Sequence, residues 1–419
     1  MITSIEARNF RCLRYINQKL GPFHVLVGPN ASGKTTFLDV VAFLGSLVSN
    51  GLETAIDERT QNFQDLLWGR SGSEFELAIE ANIPEERRAL MREKEIDTVR
   101  YEVSLGIDSK TSEIVIKKEK VLLKKSSPSD EDPPTLFPMA HIPPETIITA
   151  KGVRGTQTVI NKVPGGNDNF YSEVYAEKGK GWAPAFKLGP HKSALGNLPE
   201  DESKFPVATW LKRLLTDGVR KFVLNSLDIR KASPPGQIRG FKPDGSNLPW
   251  VIDTLEKKYP DKLYDWVEHL KTALPDLEKI RTIERPDDKH RYLVLCYRGG
   301  LEVPSWMASD GSLRLLALTL PAYMPGFSGV YLIEEPENGI HPRAVETMFQ
   351  SLSSVYDAQI LLASHSPVIL SMVDVDKVLC FAKTQEGATD IVHGSKHPAL
   401  KEWQGETSLG VLFAGGVLG

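Results

Sequence analysis

The pattern of apolar and polar residues predicts strands at both ends of the chain. Near the start, ITSIEARNFRCL alternates like a half-buried strand, and FHVLVG is a continuous apolar strand. EFELAIEANI, RYEVSLGID and SEIVIKKEKVLLKK also alternate, which predicts antiparallel strands. After residue 309 a helix is followed by the apolar strands GVYLIEE, QILLAS and KVLCFAK, the last strand predicted. Apolar strands that alternate with helices are typical of a parallel sheet covered on both faces.

The middle of the chain has a different pattern. Residues 126–170 are rich in Pro, Ser, Gly and Asp, and we predict loops and short irregular pieces there. From about 200 to 290, segments such as FPVATWLKRLLTDGVRKFVLNSL have helical spacing. We therefore expect an N-terminal part of a head (1–125), an inserted loop-rich and helical region (126–290) and a C-terminal part of the head (291–419).

Composition and charge limit the function without identifying it. The 419 residues are 41% hydrophobic and 25% charged, which suits a large globular core. A formal charge of -4 is not that of a generally basic nucleic-acid binder, although a local basic face stays open. The three cysteines form no CxxC pair, which favours idle thiols in a reducing cytosol. The start lacks a secretory signal and no apolar run reaches the ~20 residues of a membrane span, so we expect a cytoplasmic protein.

The stretch GPNASGKT, residues 28–35, carries the first chemical signal. It matches G-x-x-x-x-G-K-[ST] and lies between an apolar strand and a helix, as a phosphate-binding loop requires. Glycines let backbone N–H groups turn toward phosphate oxygens, and the helix N-terminus adds unpaired donors. Lys34 is expected to reach the β- and γ-phosphates of ATP, with Thr35 as a Mg²⁺ ligand. The nucleotide-binding residues predicted from this stretch are Gly28, Asn30, Ser32, Gly33, Lys34, Thr35 and Thr36.

Acidic residues and a histidine end two further apolar strands. GVYLIEE ends in Glu334 and Glu335, and adjacent buried acids are costly unless they meet a cation. We predict that Glu334 lies beside the Mg²⁺ and that Glu335 polarises the water that attacks the γ-phosphate. In QILLASHS, His365 is expected at the same sheet edge, bonded to the γ-phosphate or to that water. A solvated acid pair and a structural histidine are the plainer alternatives.

This order of loop, acid strand and histidine strand resembles ABC-type ATPase heads of the RecF/SMC-like branch. WMASDGSLRLLALTL, residues 306–320, stands where this branch has its signature, with Ser309 and Gly311 retained from the LSGGQ form. Its S-D-G-S version resembles stand-alone ATPases of the OLD and anti-phage-defence type. The resemblance implies an α/β P-loop NTPase with a mixed or antiparallel β lobe, a parallel core sheet and a helical insertion lobe. It also implies that Ser309 and Gly311 grip the γ-phosphate of another subunit's nucleotide, although a simple helix cap explains them too.

Other segments share the resemblance more loosely. ARNFRCL resembles the family's opening strand, which implies that Arg11 lies near the phosphates or base; a surface arginine is the alternative. PENGIHP resembles the D-loop, which implies that Asn338 and His341 contact a second subunit or else form a capping turn. Gln61 and Gln64 are both candidates for the glutamine that senses Mg²⁺.

The resemblance implies an ATPase that uses ATP and Mg²⁺ and works as a homodimer or higher homo-oligomer of heads around shared ATP. Roughly 35 residues follow KVLCFAK, too few for the TOPRIM domain of OLD-family nucleases, so we expect a separate effector. Our first hypothesis is an anti-phage-defence ATPase that regulates such an effector. RecF-like repair at DNA ends or junctions is the alternative, because basic clusters such as IKKEKVLLKK and VRKFVLNSLDIRK leave DNA binding open. An energising subunit of a transporter fits less well.

Overall fold

Three sheets and eleven α-helices make up the described part of the chain in a computed structural model. The residues described are 1–126, 136–163, 165–174, 185–238, 240–400 and 408–418. The strands are β1 (Ile2–Phe10), β2 (Leu13–Lys19), β3 (Phe23–Val27), β4 (Glu74–Asn82), β5 (Thr98–Ile107), β6 (Ile114–Lys124), β7 (Thr156–Lys162), β8 (Asp168–Phe170), β9 (Ala185–Phe186), β10 (Val219–Phe222), β11 (Leu277–Glu284), β12 (Arg291–Tyr297), β13 (Leu301–Pro304), β14 (Gly329–Glu334), β15 (Ala358–Ala363), β16 (Val378–Lys383) and β17 (Thr389–His393). The helices are α1 (Lys34–Ser49), α2 (Leu52–Asp57), α3 (Glu85–Arg88), α4 (Pro206–Arg213), α5 (Ser226–Arg230), α6 (Leu248–Lys258), α7 (Pro260–Leu270), α8 (Asp310–Thr319), α9 (Pro342–Ser353), α10 (Pro367–Met372) and α11 (Leu409–Ala414).

The six-stranded sheet has the order β10-β14-β15-β3-β16-β17, and its strands are parallel except for β17. Alternate side chains of each central strand enter two different cores. Leu332 and Leu361 belong to the core shared with α1 and the eight-stranded sheet, whereas Ile333 and Leu362 belong to the core shared with α6 to α10. Both faces are therefore covered, which explains why these strands are apolar throughout. Because the strands are parallel, β3, β14 and β15 end at one common edge.

The eight-stranded sheet has the order β2-β1-β4-β5-β6-β7-β8-β9, and every neighbouring pair is antiparallel. Its strands alternate, as their sequences predict. Apolar residues such as Ile5, Leu77 and Val103 pack into the core that contains α1. The residues between them on the same strands are polar or charged and lie on the opposite face. The third sheet, β11-β12-β13, is a small antiparallel one.

Long-range pairing overrides the local pattern at four places. Leu277–Glu284, inside the region predicted helical, is strand β11 and pairs with β12. Val219–Phe222, predicted helical, is strand β10, because it completes the edge of the parallel sheet beside β14. Thr156–Lys162, predicted within a loop-rich segment, is strand β7 and pairs with β6. Strand β17 follows KVLCFAK, which was predicted to be the last strand. The Pro- and Ser-rich residues 127–135 lie outside the described residues, and the boundaries at 125 and 290 stay predictions.

The helices are short relative to a lipid bilayer. Across the residues that the structure describes, none combines the length and the apolar character that a membrane-spanning helix needs.

Candidate functional site

A cavity of about 370 Å³ opens at the carboxyl edge of the parallel sheet. The loop after β3, the acids that end β14 and the histidine after β15 all contribute to its wall, because these strands end at the same edge. Its volume lies in the range of about 300–1,000 Å³ that is usual for small-molecule sites. The lining residues are Arg11, Cys12, Asn30, Ala31, Ser32, Gly33, Lys34, Thr35, Thr36, Glu334, Glu335, Ala363, His365 and Lys383.

The loop before α1 has a conformation that two of its glycines make possible. Gly28 has φ 148° and Gly33 has φ 105°, both in a region that other residues rarely adopt. A Cβ atom on Gly28 would lie 2.2 Å from the carbonyl oxygen of Phe381, and one on Gly33 would lie 2.2 Å from Thr389 Oγ1. Thr389 Oγ1 also donates a hydrogen bond to Ser32 O at 2.9 Å. Strand β17 therefore supports the loop, which the sequence did not indicate.

Lys34 lies folded onto the loop that precedes it. Its Nζ donates hydrogen bonds to Gly28 O at 2.8 Å and to Pro29 O at 2.9 Å, and the residue is 7% exposed. Burial lowers the pKa of Lys34 to about 8, an effect that the negative charges of Glu335 and Glu334 partly offset. A buried cation gains more from an anionic ligand than an exposed one does, because the local dielectric constant is low.

The residues beside Lys34 form a donor set that fits Mg²⁺. Thr35 Oγ1 donates a hydrogen bond to Glu334 Oε2 at 2.6 Å. Glu334 Oε1 is buried and accepts no hydrogen bond from the described residues. Magnesium is usually held by one or two carboxylates together with phosphate oxygens and water, so the Glu334 carboxylate and the loop threonine form a suitable ligand pair.

Lys221 is a second cation beside Thr35 and Glu334, and the sequence analysis did not predict it there. Its Nζ lies 2.7 Å from Glu334 Oε1, although it is not directed as a hydrogen bond to that oxygen. Lys221 lies on β10, inside the segment predicted helical, and its position depends on the pairing of β10 with β14. No local pattern in the sequence could have placed it beside Glu334.

Glu335 has an unusual backbone conformation. Its φ is 46°, in the left-handed region that costs a non-glycine residue energy and is frequent at functional sites. Its N–H donates to Ala363 O at 2.8 Å, and Asn338 Nδ2 donates to its Oε2 at 2.5 Å. His365 Nε2 lies 4.0 Å from the other carboxylate oxygen. Burial and the nearby charge of Lys34 lower the pKa of His365, which favours the neutral imidazole, while Glu335 and Glu337 oppose that shift.

Glu337 joins the acid strand to the histidine strand. Its Oε1 accepts hydrogen bonds from Ser364 Oγ at 2.7 Å and from the His365 N–H at 3.0 Å. Its Oε2 is buried without a partner among the described residues. Glu337 therefore sets the position of the histidine backbone. In the sequence it is a third acid in EEPEN, and nothing there distinguishes it from a solvated carboxylate.

Of the residues predicted from the looser resemblances, some line the cavity and others do not. Arg11 lines the cavity, and its Nη1 lies 3.1 Å from Asp39 Oδ2, so an ion pair holds it at the wall. Gln61 and Gln64 do not line the cavity, and the choice between them stays open. Lys383, at the end of β16, lines it and was not anticipated.

Ser309 and Gly311 do not line this cavity. Ser309 Oγ accepts a hydrogen bond from the N–H of Ser312 at 3.1 Å and so caps α8. A Cβ atom on Gly311 would lie 2.7 Å from Gly339 O, so the start of α8 packs against the loop after the acid strand. His341 caps α9 through a bond from the N–H of Arg343 to its Nδ1. Within one chain, the signature serine is a capping residue that is exposed on a different part of the surface.

A phosphate-binding loop, an acid strand and a histidine strand at one edge of a parallel sheet define a P-loop NTPase with an ABC-type head. Two solved structures share the fold. The crystal structure of the SmcHead bound to the C-winged helix domain of ScpA is 15% identical, with a TM-score of 0.53, and covers 93% of this chain and 97% of its own. The Smc head domain with an extended coiled coil, bound to the C-terminal domain of ScpA and derived from Pyrococcus furiosus, is 13% identical, with a TM-score of 0.53 and coverages of 93% and 95%. At such identities the likeness shows the fold.

Residues 23–371 match the family described as "AAA domain, putative AbiEii toxin, Type IV TA system", and the chain belongs to that family. A short match, 46% identical over 41 residues, is to the OLD nuclease of Thermus scotoductus. It covers 10% of this chain and 8% of the nuclease. The α/β fold and the expected class, an ABC-type ATPase of the RecF/SMC-like branch related to OLD, are therefore confirmed.

Proposed function

We propose that this chain is a head that binds and hydrolyses ATP, closes as a dimer around it, and regulates a separate effector in anti-phage defence. The observation that carries the ATPase part is the convergence of Lys34, Thr35, Glu334, Glu335 and His365 on one cavity. Four functions needed for phosphoryl transfer to water are available there: a phosphate-binding cation, a metal-ligand pair, a carboxylate base and a neutral imidazole.

Hydrolysis requires the groups in this cavity to act in order. Lys34 exchanges the loop carbonyls for the β- and γ-phosphates. Thr35 and Glu334 would hold Mg²⁺, which would supply neutralisation of the phosphate charge. Glu335 orients a water toward the γ-phosphorus and takes its proton as the oxygen attacks. The bond to the β-phosphate oxygen then breaks and ADP leaves. His365, in its neutral form, donates or accepts a hydrogen bond without repelling a cation nearby.

Dimer closure accounts for the separate position of the signature. Ser309 Oγ accepts a hydrogen bond from the N–H of Ser312 and shares a second one with Ser312 Oγ at 2.8 Å. When Ser312 donates in that second bond, the hydroxyl hydrogen of Ser309 can be donated to a phosphate of a second chain. The side chains of Trp306 and Met307, just before it, are 46% and 70% exposed, which is unusual for apolar residues of their size. A second copy that covers them would bury this surface as it brings its nucleotide to Ser309. Binding then favours the closed pair, because ATP supplies a γ-phosphate contact that ADP lacks.

The defence role and the effector rest on relatives rather than on the cavity. The family description names a toxin of a toxin–antitoxin system, and the short local match is to a nuclease. A head that acts with a nuclease-like partner fits both. We expect the effector to be a separate protein that is held or released as the dimer opens and closes.

Glu335→Gln tests the proposed base. The amide keeps the size and the Asn338 contact but cannot accept a proton, so the variant is expected to bind ATP and to turn over at least 100-fold more slowly. It should also accumulate as an ATP-bound dimer in size-exclusion chromatography with light scattering. Glu346→Gln, an exposed substitution on α9, is the matched control. If Glu335→Gln hydrolysed ATP at the wild-type rate, Glu335 would not be the base.

DNA repair is the second candidate, and the basic clusters decide how far it is supported. In the cluster on residues 219–231, Lys221 contacts Glu334, Arg230 contacts Asp310 and Lys231 contacts Asp228, so these charges are already paired. In the cluster on β6, Lys117, Lys124 and Lys125 contact Glu74, Glu80 and Glu95, so most of its lysines are paired as well. DNA affinity that falls steeply between 50 and 200 mM salt would favour the repair function over the effector-regulating one.

A further inference from the structure

A second cavity, of about 580 Å³, lies along the far strands of the eight-stranded sheet. Residues of β6, β7 and β8 form its floor, and segments at 92–93, 150–152 and 171–172 form its walls. It shares no lining residue with the cavity around Lys34. Its volume is also in the range of about 300–1,000 Å³ that holds small molecules.

The charge around this cavity is strongly positive. Arg92, Lys120 and Lys151 line it, and Glu93 is the one carboxylate among the described lining residues. Arg92 and Lys151 form no ion pair within the described parts of the chain. Burial lowers the pKa of Lys120, and the neighbouring charges of Lys118 and Lys151 lower it further, whereas Glu102 opposes them. A concave surface lined by one sign of charge concentrates ions of the opposite sign.

The floor also presents polar groups of the kind that read a base. Gln157 Nε2 donates to Ser172 O at 3.3 Å, but its Oε1 is buried and has no partner among the described residues. Asn161 is 9% exposed and lines the same floor, and Tyr171 supplies an aromatic ring to the wall. A phosphate alone would leave the Gln157 oxygen unsatisfied, because that oxygen needs a donor.

We propose that this second cavity binds a nucleoside phosphate, with its phosphates against Arg92, Lys120 and Lys151 and its base near Gln157 and Tyr171. Cations neutralise the phosphates, rotation of the Gln157 side chain presents its Oε1 to an N–H of the base, and Tyr171 in the wall offers a stacking surface. The cations converge on one concavity instead of forming a stripe, which favours a compact ligand over a long nucleic-acid strand. The site is independent of the one assigned to ATP hydrolysis.

Two sets of variants separate this site from the ATPase site. N-methylanthraniloyl-ADP is the probe, and its binding is measured by fluorescence and equilibrium dialysis with the full chain. Wild type is expected to bind two probes per chain. Lys34→Ala is expected to bind one probe, in the second cavity. Lys120→Ala/Lys151→Ala is expected to bind one probe, in the cavity around Lys34. The combination of all three should bind at least tenfold more weakly than Lys34→Ala alone. Failure of the proposed ATPase site alone would leave Lys34→Ala indistinguishable from wild type.

Matched controls keep the outcome interpretable. Lys262→Ala/Lys289→Ala removes two exposed lysines elsewhere and should bind like wild type. Lys151→Glu, at an exposed position, tests the charge without disturbing the sheet, and thermal unfolding checks that each variant is folded. No saturable binding to Lys34→Ala, or binding unchanged by the cavity substitutions, would overturn the proposal. Tighter binding of a fluorescein-labelled dT12 strand, lost in the same variants, would also overturn it in favour of a nucleic-acid surface.

Discussion

The two large sheets use buried charge in different ways. In the parallel sheet the chemical groups follow the strands: Glu334 ends β14, and His365 comes two residues after β15. In the antiparallel sheet they lie in the middle of strands, where Arg100 and Glu102 on β5 face Glu6 on β1. The groups at these strand ends meet an open cavity, whereas Arg100, Glu102 and Glu6 are covered by protein. The charges at the ends of the parallel strands are therefore available to a ligand, whereas the charges around Arg100 stabilise the fold.

The charges around Arg100 in the antiparallel sheet form a closed network. Arg100 contacts Glu6 at 2.8 Å, Glu102 at 2.8 Å and Glu80 at 3.3 Å. Burial lowers the pKa of Arg100, but the carboxylates of Glu6 and Glu102 outweigh that effect and raise it above its ordinary value. Lys124 adds a contact to Glu80 at 2.5 Å. The network is satisfied from within the chain, so it contributes structure and leaves nothing for a ligand.

Residues 144–149 cover this network, and we call them the covering segment. Its backbone is held by the charged face: Ile147 N–H donates to Glu76 Oε2 at 2.8 Å, and Thr149 N–H donates to Glu102 Oε1 at 2.7 Å. Arg100 Nη2 donates to Ile147 O at 2.9 Å. The backbone of an irregular segment has no neighbouring strand with which to form hydrogen bonds. The carboxylates and the guanidinium supply those hydrogen bonds instead.

The largest effect is expected from Lys34→Met. Removal of the phosphate-binding cation should lower turnover by about two to three orders of magnitude, measured as phosphate release at saturating ATP. Stability at pH 7 should stay the same or rise. The pKa of Lys34 is about 8 in the fold against its ordinary value of 10.5, so its burial costs stability below pH 8, and that cost fades between pH 8 and 10.5. A melting temperature lowered by several degrees would place Lys34 among the charges that hold the fold.

Arg100→Met should have the opposite effect to Lys34→Met, because its main consequence is a loss of stability. It leaves Glu6, Glu80 and Glu102 buried without their main cation, which costs about 3–5 kcal/mol of unfolding free energy. Urea unfolding at pH 7.5 measures this loss. Lys117→Met is the matched control, because its contact with Glu74 at 3.1 Å is partly exposed and is worth less than about 1 kcal/mol. Equal losses for the two variants would contradict the difference between covered and open charges.

Substitutions of Ser309 test whether a second chain completes the ATP site. Ser309→Ala removes both the cap, worth about 1 kcal/mol, and the hydroxyl proposed to meet the γ-phosphate. Ser309→Asp keeps an acceptor for the Ser312 N–H but places a negative charge toward that phosphate. Both variants are expected to lower turnover at least tenfold, whereas Ser309→Ala alone should lower stability. Normal ATP turnover by Ser309→Asp would leave the cap as the whole role of this serine.

The smallest effect is expected from Lys221→Met. Lys221 and Mg²⁺ are attracted to the same carboxylate, so loss of the lysine should lower the Mg²⁺ concentration for half-maximal binding of N-methylanthraniloyl-ADP. A partly exposed ion pair is worth up to about 1 kcal/mol, which corresponds to a shift of up to about fivefold. Lys221→Arg keeps the charge and should behave like wild type. An unchanged or higher Mg²⁺ requirement would show that Lys221 does not compete for Glu334.

What the sequence determined by itself was the nucleotide loop, the acid strand, the histidine strand and the class of fold. These signals are local: the glycines, Lys34 and Thr35 are contiguous, and an apolar strand followed by an acid can be recognised within a few residues. The alternation of β4, β5 and β6 was equally local, because a strand with one buried face must repeat every two residues. The order of these elements was enough to predict an ABC-type ATPase head related to OLD.

The tertiary structure decided where distant residues meet. Lys221 reaches Glu334 because β10 pairs with β14, and Thr389 supports Gly33 because β17 turns back beside β16. The covering segment finds its partners on strands that lie far from it in the chain, as the Arg100–Ile147 contact shows. Each of these depends on the free energy of long-range packing and pairing, which no short window of sequence contains.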